Sequence, residues 1–458
     1  MKRIGGARWQ RFAILANLRF IAYVIASKEP DEGEGNVCGI GIVKRVVLAA
    51  ALLTIVAPEQ VSASALLSAE SLARHGLVRA WARQVQLDRS RDRVSDLVLA
   101  EGLLLVKTRS GVVHALDAES GRTMWTIQVP GRNLVGFAPA ANGKFVAVVQ
   151  GLTLYVVNRA DGKPAFEAEL SGSPSAGAAV SDQWAYVPMQ DGRIMAFKLD
   201  EPDGRPWLCR GTGTPEVPPV VTPTSLVWGT SRGFVYSNDL DKSGIRFELS
   251  TGGPVATPLA SRPPAIYVVS DDHFVYALDE TTGAILWRFA TGSPIRQQPV
   301  AIGDSVYVIP IGQSMHCLAA ATGDEKWSAP HCVQFVAASG ERIYVTDGIG
   351  RTWILDAATG ARLAAISTEL LPHKLVNIET DRIYLATPTG MVQCLHESAL
   401  VEPLNHKPPI EEPAEEKPAD RESDAEKPAG DQRADETRAE PAAERDNADA
   451  PPAAEPQP

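Results

Sequence analysis

Over residues 81–395, apolar and polar positions alternate with a period of two in runs of five or six residues, separated by short polar turns. Residues 265–270 (AIYVVS) are followed by Asp271-Asp272 and then by FVYALD at 274–279. Alternation on both sides of a tight turn predicts an antiparallel β-hairpin. Thr282-Gly283 then supplies the positive φ that reverses the chain into a third strand carrying Trp287, and a final strand of the unit follows Gly292-Ser293-Pro294. Hairpins of this form end near Leu116, Val157, Phe197, Asn238, Leu278, Leu318, Leu355 and Leu395, which makes eight.

The eight units are copies of one another. ALDAESGRTMW at 115–125 returns as ALDETTGAILW at 277–287 and as CLAAATGDEKW at 317–327. Weaker copies are VVNRADGKPAF (156–166), SNDLDKSGIRF (237–247) and ILDAATGARLA (354–364), and AFKLDEPDGRPW (196–207) is degenerate. The closing aromatic falls at Trp125, Phe166, Trp207, Phe247, Trp287 and Trp327, with Ala364 in the seventh slot, at intervals of 41, 41, 40, 40, 40 and 37 residues. Asp117, Asp279 and Asp356 share one turn position, where a short carboxylate caps backbone amides, and Gly121, Gly162, Gly283, Gly323 and Gly360 share another. The Trp is expected between neighbouring blades, because an indole buries a large area with few torsions to freeze.

Four short antiparallel strands repeated eight times make an all-β, eight-bladed propeller, spanning 81–396. The last hairpin, 382–395, has no Trp strand after it, whereas Trp81 opens a Trp strand with no hairpin before it. The N-terminal strand is therefore expected to complete the eighth blade beside residues 391–395 and leave no free edge.

The A-x-D-x-x-x-G-x-x-x-W pattern, most complete at 115–125 and 277–287, resembles the tryptophan-docking repeat of the quinoprotein (PQQ-like) propeller superfamily. The superfamily includes PQQ-dependent alcohol and sugar dehydrogenases and BamB-type scaffolds of outer-membrane protein assembly, and a bare exported ring is more similar to the second. A dehydrogenase would need a catalytic carboxylate, oxygen ligands for a cation and a basic side chain near the quinone. Many members also cap the cofactor with a disulfide between adjacent cysteines. Cys38, Cys209, Cys317, Cys332 and Cys394 are nowhere adjacent, no C-x-x-C-H haem site occurs, and the blades carry no long insertions. No catalytic residue, PQQ or metal is expected. The alternatives are a PQQ-dependent oxidoreductase and a carbohydrate- or ligand-binding propeller using aromatics such as Trp184 and Trp353.

Charge changes the picture only at the C-terminus. Residues 401–458 hold 17 Asp plus Glu against 7 Lys plus Arg, which leaves about −1 of the net −11 for the rest of the chain. Nothing in that balance points to nucleic acid. The 401–458 segment is rich in Pro, Ala and Glu and lacks core-forming residues, so it reads as a disordered, solubilising tail. At the other end Lys44-Arg45, the apolar run 46–57 and Ala63-Ser64-Ala65 form a secretory signal over 43–65 with cleavage after Ala65, followed by a short segment, 66–80. Residues 1–42 read as an extension ahead of a true start at Val43. The mature chain is expected to be exported to the periplasm or cell envelope of a bacterium. There it would be a monomeric ring without a transmembrane anchor, serving an envelope protein partner. The Cys that accepts a bacterial lipid anchor is missing.

His114 and His316 occupy a slot held by Tyr155, Tyr236 and Tyr276 in other blades and read as wall residues rather than ligands. Cys317 and Cys332 are the one cysteine pair within a blade, with no geometry implied by the sequence. Arg193, Arg232 and Arg351 lie at hairpin turns, as solvated turn charges or as the lining of one rim.

Overall fold

A computed structural model describes residues 66–406, apart from 202, 203 and 313. The signal segment, its cleavage at Ala65, residues 1–42 with Cys38, and the chain beyond His406 lie outside the described residues.

The described residues open with a short helix, α1 (Ala69–Arg74), capped by the Ser68 hydroxyl accepting from the Ser71 amide, and enter β1 (Leu77–Gln84). Blade 1 is β2 (Val94–Ala100), β3 (Leu103–Thr108), β4 (Val112–Asp117) and β5 (Thr123–Gln128), hydrogen-bonded in that order. Blades 2 to 7 repeat it as β6–β9 (140–169), β10–β13 (179–210), β14–β17 (220–250), β18–β21 (260–290), β22–β25 (300–329) and β26–β29 (334–366). Blade 8 is β30 (His373–Lys374), β31 (Ile383–Ala386), β32 (Met391–Glu397) and, from the far end of the chain, β1. Trp81 pairs with Cys394 and Gln84 with Met391, so the expected closure is present.

The first strands of adjacent blades touch, including β30 with β2 across the closing seam, so these short strands ring the central channel. Two boundaries differ from the sequence expectation. The strand after Gly292-Ser293-Pro294 is β22 (Val300–Ile302), the innermost strand of the next blade rather than the last of its own. The propeller begins at Leu77, not Trp81, because residues 77–79 already pair with 395–397.

Five seams use the repeat residues in one way. The Trp81 indole N–H donates to the Ala118 carbonyl at 2.9 Å, Trp125 to Arg159 at 2.7 Å, Trp287 to Ala320 at 2.9 Å and Trp327 to Ala357 at 3.0 Å. Each indole covers the turn glycine of the following blade: a Cβ placed on Gly121, Gly162, Gly323 or Gly360 would come within 2.4–2.8 Å of the ring. Phe247 covers Gly283 in the same manner without the hydrogen bond. On its other side Trp81 packs against Tyr384, Trp287 against Tyr267 and Trp327 against Tyr307. Asp117, Asp279 and Asp356 sit in the turns below, each accepting from the amide and hydroxyl of a Ser or Thr three residues on.

Three seams depart. Trp207 was expected to dock on blade 4, but there Ser243 stands in the slot of Gly283 and the glycine comes one place later, at Gly244, which lacks the left-handed conformation. Trp207 instead packs on Trp184 (5.9 Å) and Tyr186 (6.0 Å) of its own blade, and its indole nitrogen has no acceptor. Phe166 is half-buried in the cluster joining blades 2 and 3. Ala364 faces blade 8, which has no turn glycine because its fourth strand comes from the N-terminus. Leu72 of α1 and Leu77 fill that seam.

Candidate docking face

The ring has two unlike faces. One carries the turns between the second and third strand of each blade and the connections between blades; it is called here the hairpin face. Its turns are short, so whatever they bear is held on a rigid frame. Seven exposed aliphatic side chains project from it: Leu134, Val135 and Leu152 around blades 1 and 2, Ile311 and Val333 around blades 6 and 7, Ile349 on blade 7 and Leu370 before blade 8. Val135 is 73% exposed and Ile349 and Leu370 are each 65% exposed, which core packing does not explain. The turns of blades 3 to 5 hold polar residues instead: Gln190-Asp191, Ser231-Arg232 and Asp271-Asp272.

Between blades 6 and 7 the face opens into a cleft of about 750 Å³ lined by Ile309, Pro310, Ile311, Pro330, Cys332 and Val333, with Arg296 on its rim. Arg296 is tied across the blade 5 connection to Asp271 at 2.9 and 3.2 Å, which fixes the guanidinium without burying it. The Cys332 thiol is buried, and burial pushes its pKa up to about 11. It belongs to the same core cluster as Cys317, and both are free thiols, as are Cys209 and Cys394. Of the three turn arginines, Arg193 and Arg351 pair with Asp191 (2.6 Å) and Asp347 (2.7 Å) of their own turns, and Arg232 stands exposed.

The opposite face is crossed near its centre by the chain itself. Residues 401–406, expected to belong to the tail, turn back and pack on the ring. Asn405 bridges Thr380, the His406 amide donates to the Glu379 carbonyl, His406 Nε2 donates to the Ala338 carbonyl at 2.9 Å, and Arg262 reaches the His406 carbonyl at 3.4 Å. Arg262, Ala338 and Glu379 belong to the inner ends of blades 5, 7 and 8, so His406 lies over the channel mouth. The strap is clamped by Arg382, whose side chain is 1% exposed. Its guanidinium donates to the carbonyls of Leu400 (3.1 Å) and Val401 (2.6 Å), to Asp381 (3.1 Å) and to Glu119 of blade 1 (3.1 Å). Sequence reading saw Arg382 only as the first residue of a hairpin; an Asp-Arg pair entering a strand gives no sign of what it will hold.

A PQQ site needs several oxygen ligands around a cation beside the quinone. Among the described residues no three His, Cys, Asp or Glu side chains come together to hold a metal ion. His114 is bonded to Thr126 (3.0 Å) and His316 to Glu325 (2.8 Å) within their blades. Trp353 is buried under Arg362 (4.7 Å), whereas Trp184, half-buried against Trp207, lines a cleft of about 610 Å³ with Asn142, Asp182 and Asp241.

The repeat geometry, with its indole-over-glycine seams and its closure by the first strand, has a counterpart among known families. The description "Outer membrane protein assembly factor BamB" matches residues 74–201, 109–243 and 225–389. The chain belongs to this BamB family of PQQ-like propellers. No curated protein matches the sequence. Among solved structures it is similar to BamB from Moraxella catarrhalis, with a TM-score of 0.58 at 16% identity over 70% of this chain and 97% of that one. The computationally designed Ika8 protein aligns with a TM-score of 0.55 at 14% identity, over 67% of this chain and 96% of the other. Quinohemoprotein alcohol dehydrogenase from Comamonas testosteroni aligns with a TM-score of 0.54 at 14% identity, over 72% and 77%. At these identities the likenesses show the fold alone, and BamB and a dehydrogenase share it. Among the described residues no helix is long and apolar enough to cross a membrane.

Proposed function

We propose that this chain is an exported, non-catalytic scaffold that works without PQQ and holds an envelope protein on its hairpin face. The observation that carries the reading is the gathering of the exposed aliphatics Ile311, Val333, Ile349 and Leu370 around a cleft, lined mainly by apolar residues, on one sector of a rigid ring. Exposed apolar side chains concentrated in this way mark contact surfaces. Membership of the BamB family supports a scaffold role and a place in the envelope. The run 44–57 with its small-residue site at Ala65 supports export.

The test is site-specific photo-crosslinking in cells, with the crosslinker at Ile311 or Val333 in the cleft and at Arg232 across the ring. A discrete adduct from the first two positions and none from the third is expected. In parallel the purified protein is titrated with PQQ and calcium. Saturable binding with dye-linked oxidation of an alcohol or sugar would overturn the proposal.

A further inference from the structure

The hairpin face is not uniform in charge. Over blades 8, 1 and 2 it carries Arg89 and Arg91 in the connection entering blade 1, Arg109 in the blade 1 turn and Arg132 in the connection to blade 2, all exposed. Two carboxylates, Asp88 and Asp92, lie among these four arginines and leave an excess of positive charge. Asp92 is buried and accepts from the Ser110 amide and hydroxyl. Asp88 is exposed; hydrogen bonds from Ser90, helped by Arg91 and Arg132, hold its carboxyl below the usual range. Leu134 and Val135 stand in the same connection as Arg132, and Leu152 in the adjoining blade 2 turn, exposed by 54, 73 and 54%. The Val135 carbonyl accepts from the Gly151 amide at 2.8 Å, so the loop and the turn bearing these aliphatics form one joined tip.

We propose that this sector seats the ring directly on an anionic lipid surface. Aliphatic side chains raised on a loop tip and flanked by guanidinium groups match the two layers of a bilayer interface, acyl boundary and phosphate. An acidic peptide partner would satisfy the arginines but leave the raised aliphatics without a recess to enter. The sector lies away from the blade 6–7 cleft, so this inference stands apart from the protein partner proposed above.

The experiment is co-sedimentation of the full chain with vesicles of phosphatidylcholine alone or with about 30 mol% phosphatidylglycerol, at low and high salt. Binding only to the anionic vesicles, weakened by salt, is expected. Arg89→Glu/Arg91→Glu/Arg132→Glu should lower it more than tenfold. Leu134→Ser/Val135→Ser should lower it severalfold while keeping the salt dependence. Arg232→Glu, an exposed arginine outside the sector, should leave it unchanged, and circular dichroism checks that each variant is folded. No sedimentation with anionic vesicles, or equal sedimentation of all variants, would overturn the proposal. So would tighter binding to poly-glutamate than to vesicles with the same sensitivity to the arginine changes, which would assign the sector to an acidic protein.

Discussion

A glycine with positive φ is common in turns, but the turn glycines here carry a second constraint. Gly283 has φ +72° and its missing Cβ leaves room for the Phe247 ring, which would otherwise lie 2.4 Å away. Gly303 has nearly the same backbone, φ +60°, with nothing within 4 Å. Gly303→Ala should therefore cost only the left-handed strain, about 1–2 kcal/mol. Gly283→Ala adds displacement of a seam aromatic and should cost a further 1–3 kcal/mol. Urea unfolding of the two variants checks the difference; equal losses would mean that the ring does not depend on the glycine. The sequence made this pairing half visible. The fixed spacing of Asp, Gly and Trp showed that each belonged to one repeat unit. It did not show that each Trp covers the glycine of the next unit, or that Tyr267, Tyr307 and Tyr384 support it from behind.

At the scale of the element, legibility followed length. The second and third strands of each blade run for four to seven residues, buried almost throughout between neighbouring blades, and all eight hairpins were readable. The innermost strands are as short as two residues, such as β10 (Ala179–Val180) and β14 (Val220–Val221), too short for any period to register. The strap at 401–406 was missed because its hold on the ring comes through backbone carbonyls, which every sequence possesses. Its stability is concentrated in Arg382. Arg382→Leu leaves Asp381 buried without its partner and should destabilise the ring by about 3–5 kcal/mol. The thermal midpoint of the variant reads this loss, and a change within error would show that the strap contributes nothing to the fold.

For the molecule as a whole, acid is the condition expected to weaken it. Burial holds His114, His373 and His406 below the ordinary imidazole pKa, in blade 1, blade 8 and the strap. In the unfolded chain these imidazoles take up protons as pH falls through about 6.5, while the folded ring resists until its lower pKa values are reached. Below about pH 6.5 the unfolded state thus binds more protons, and folding stability declines with falling pH. Thermal midpoints at pH 7.5, 6 and 5 should fall in that order. The turn carboxylates Asp279 and Asp356, held low by Thr282 and Thr359, add a further loss only as pH falls below about 4. A profile flat from 7.5 to 5 would rule out the histidine contribution.

The pairing of β1 with β32 also sets an order of events in time. Seven blades are assembled from neighbours along the chain, whereas the eighth joins Gln84 to Met391, the two ends of the ring. Local contacts form quickly and distant ones slowly. During synthesis the strand made first must wait, unpaired, until the last hairpin emerges. A chain halted anywhere before that point is an arc with an open edge at each end, poised to pair with another copy of itself rather than to close.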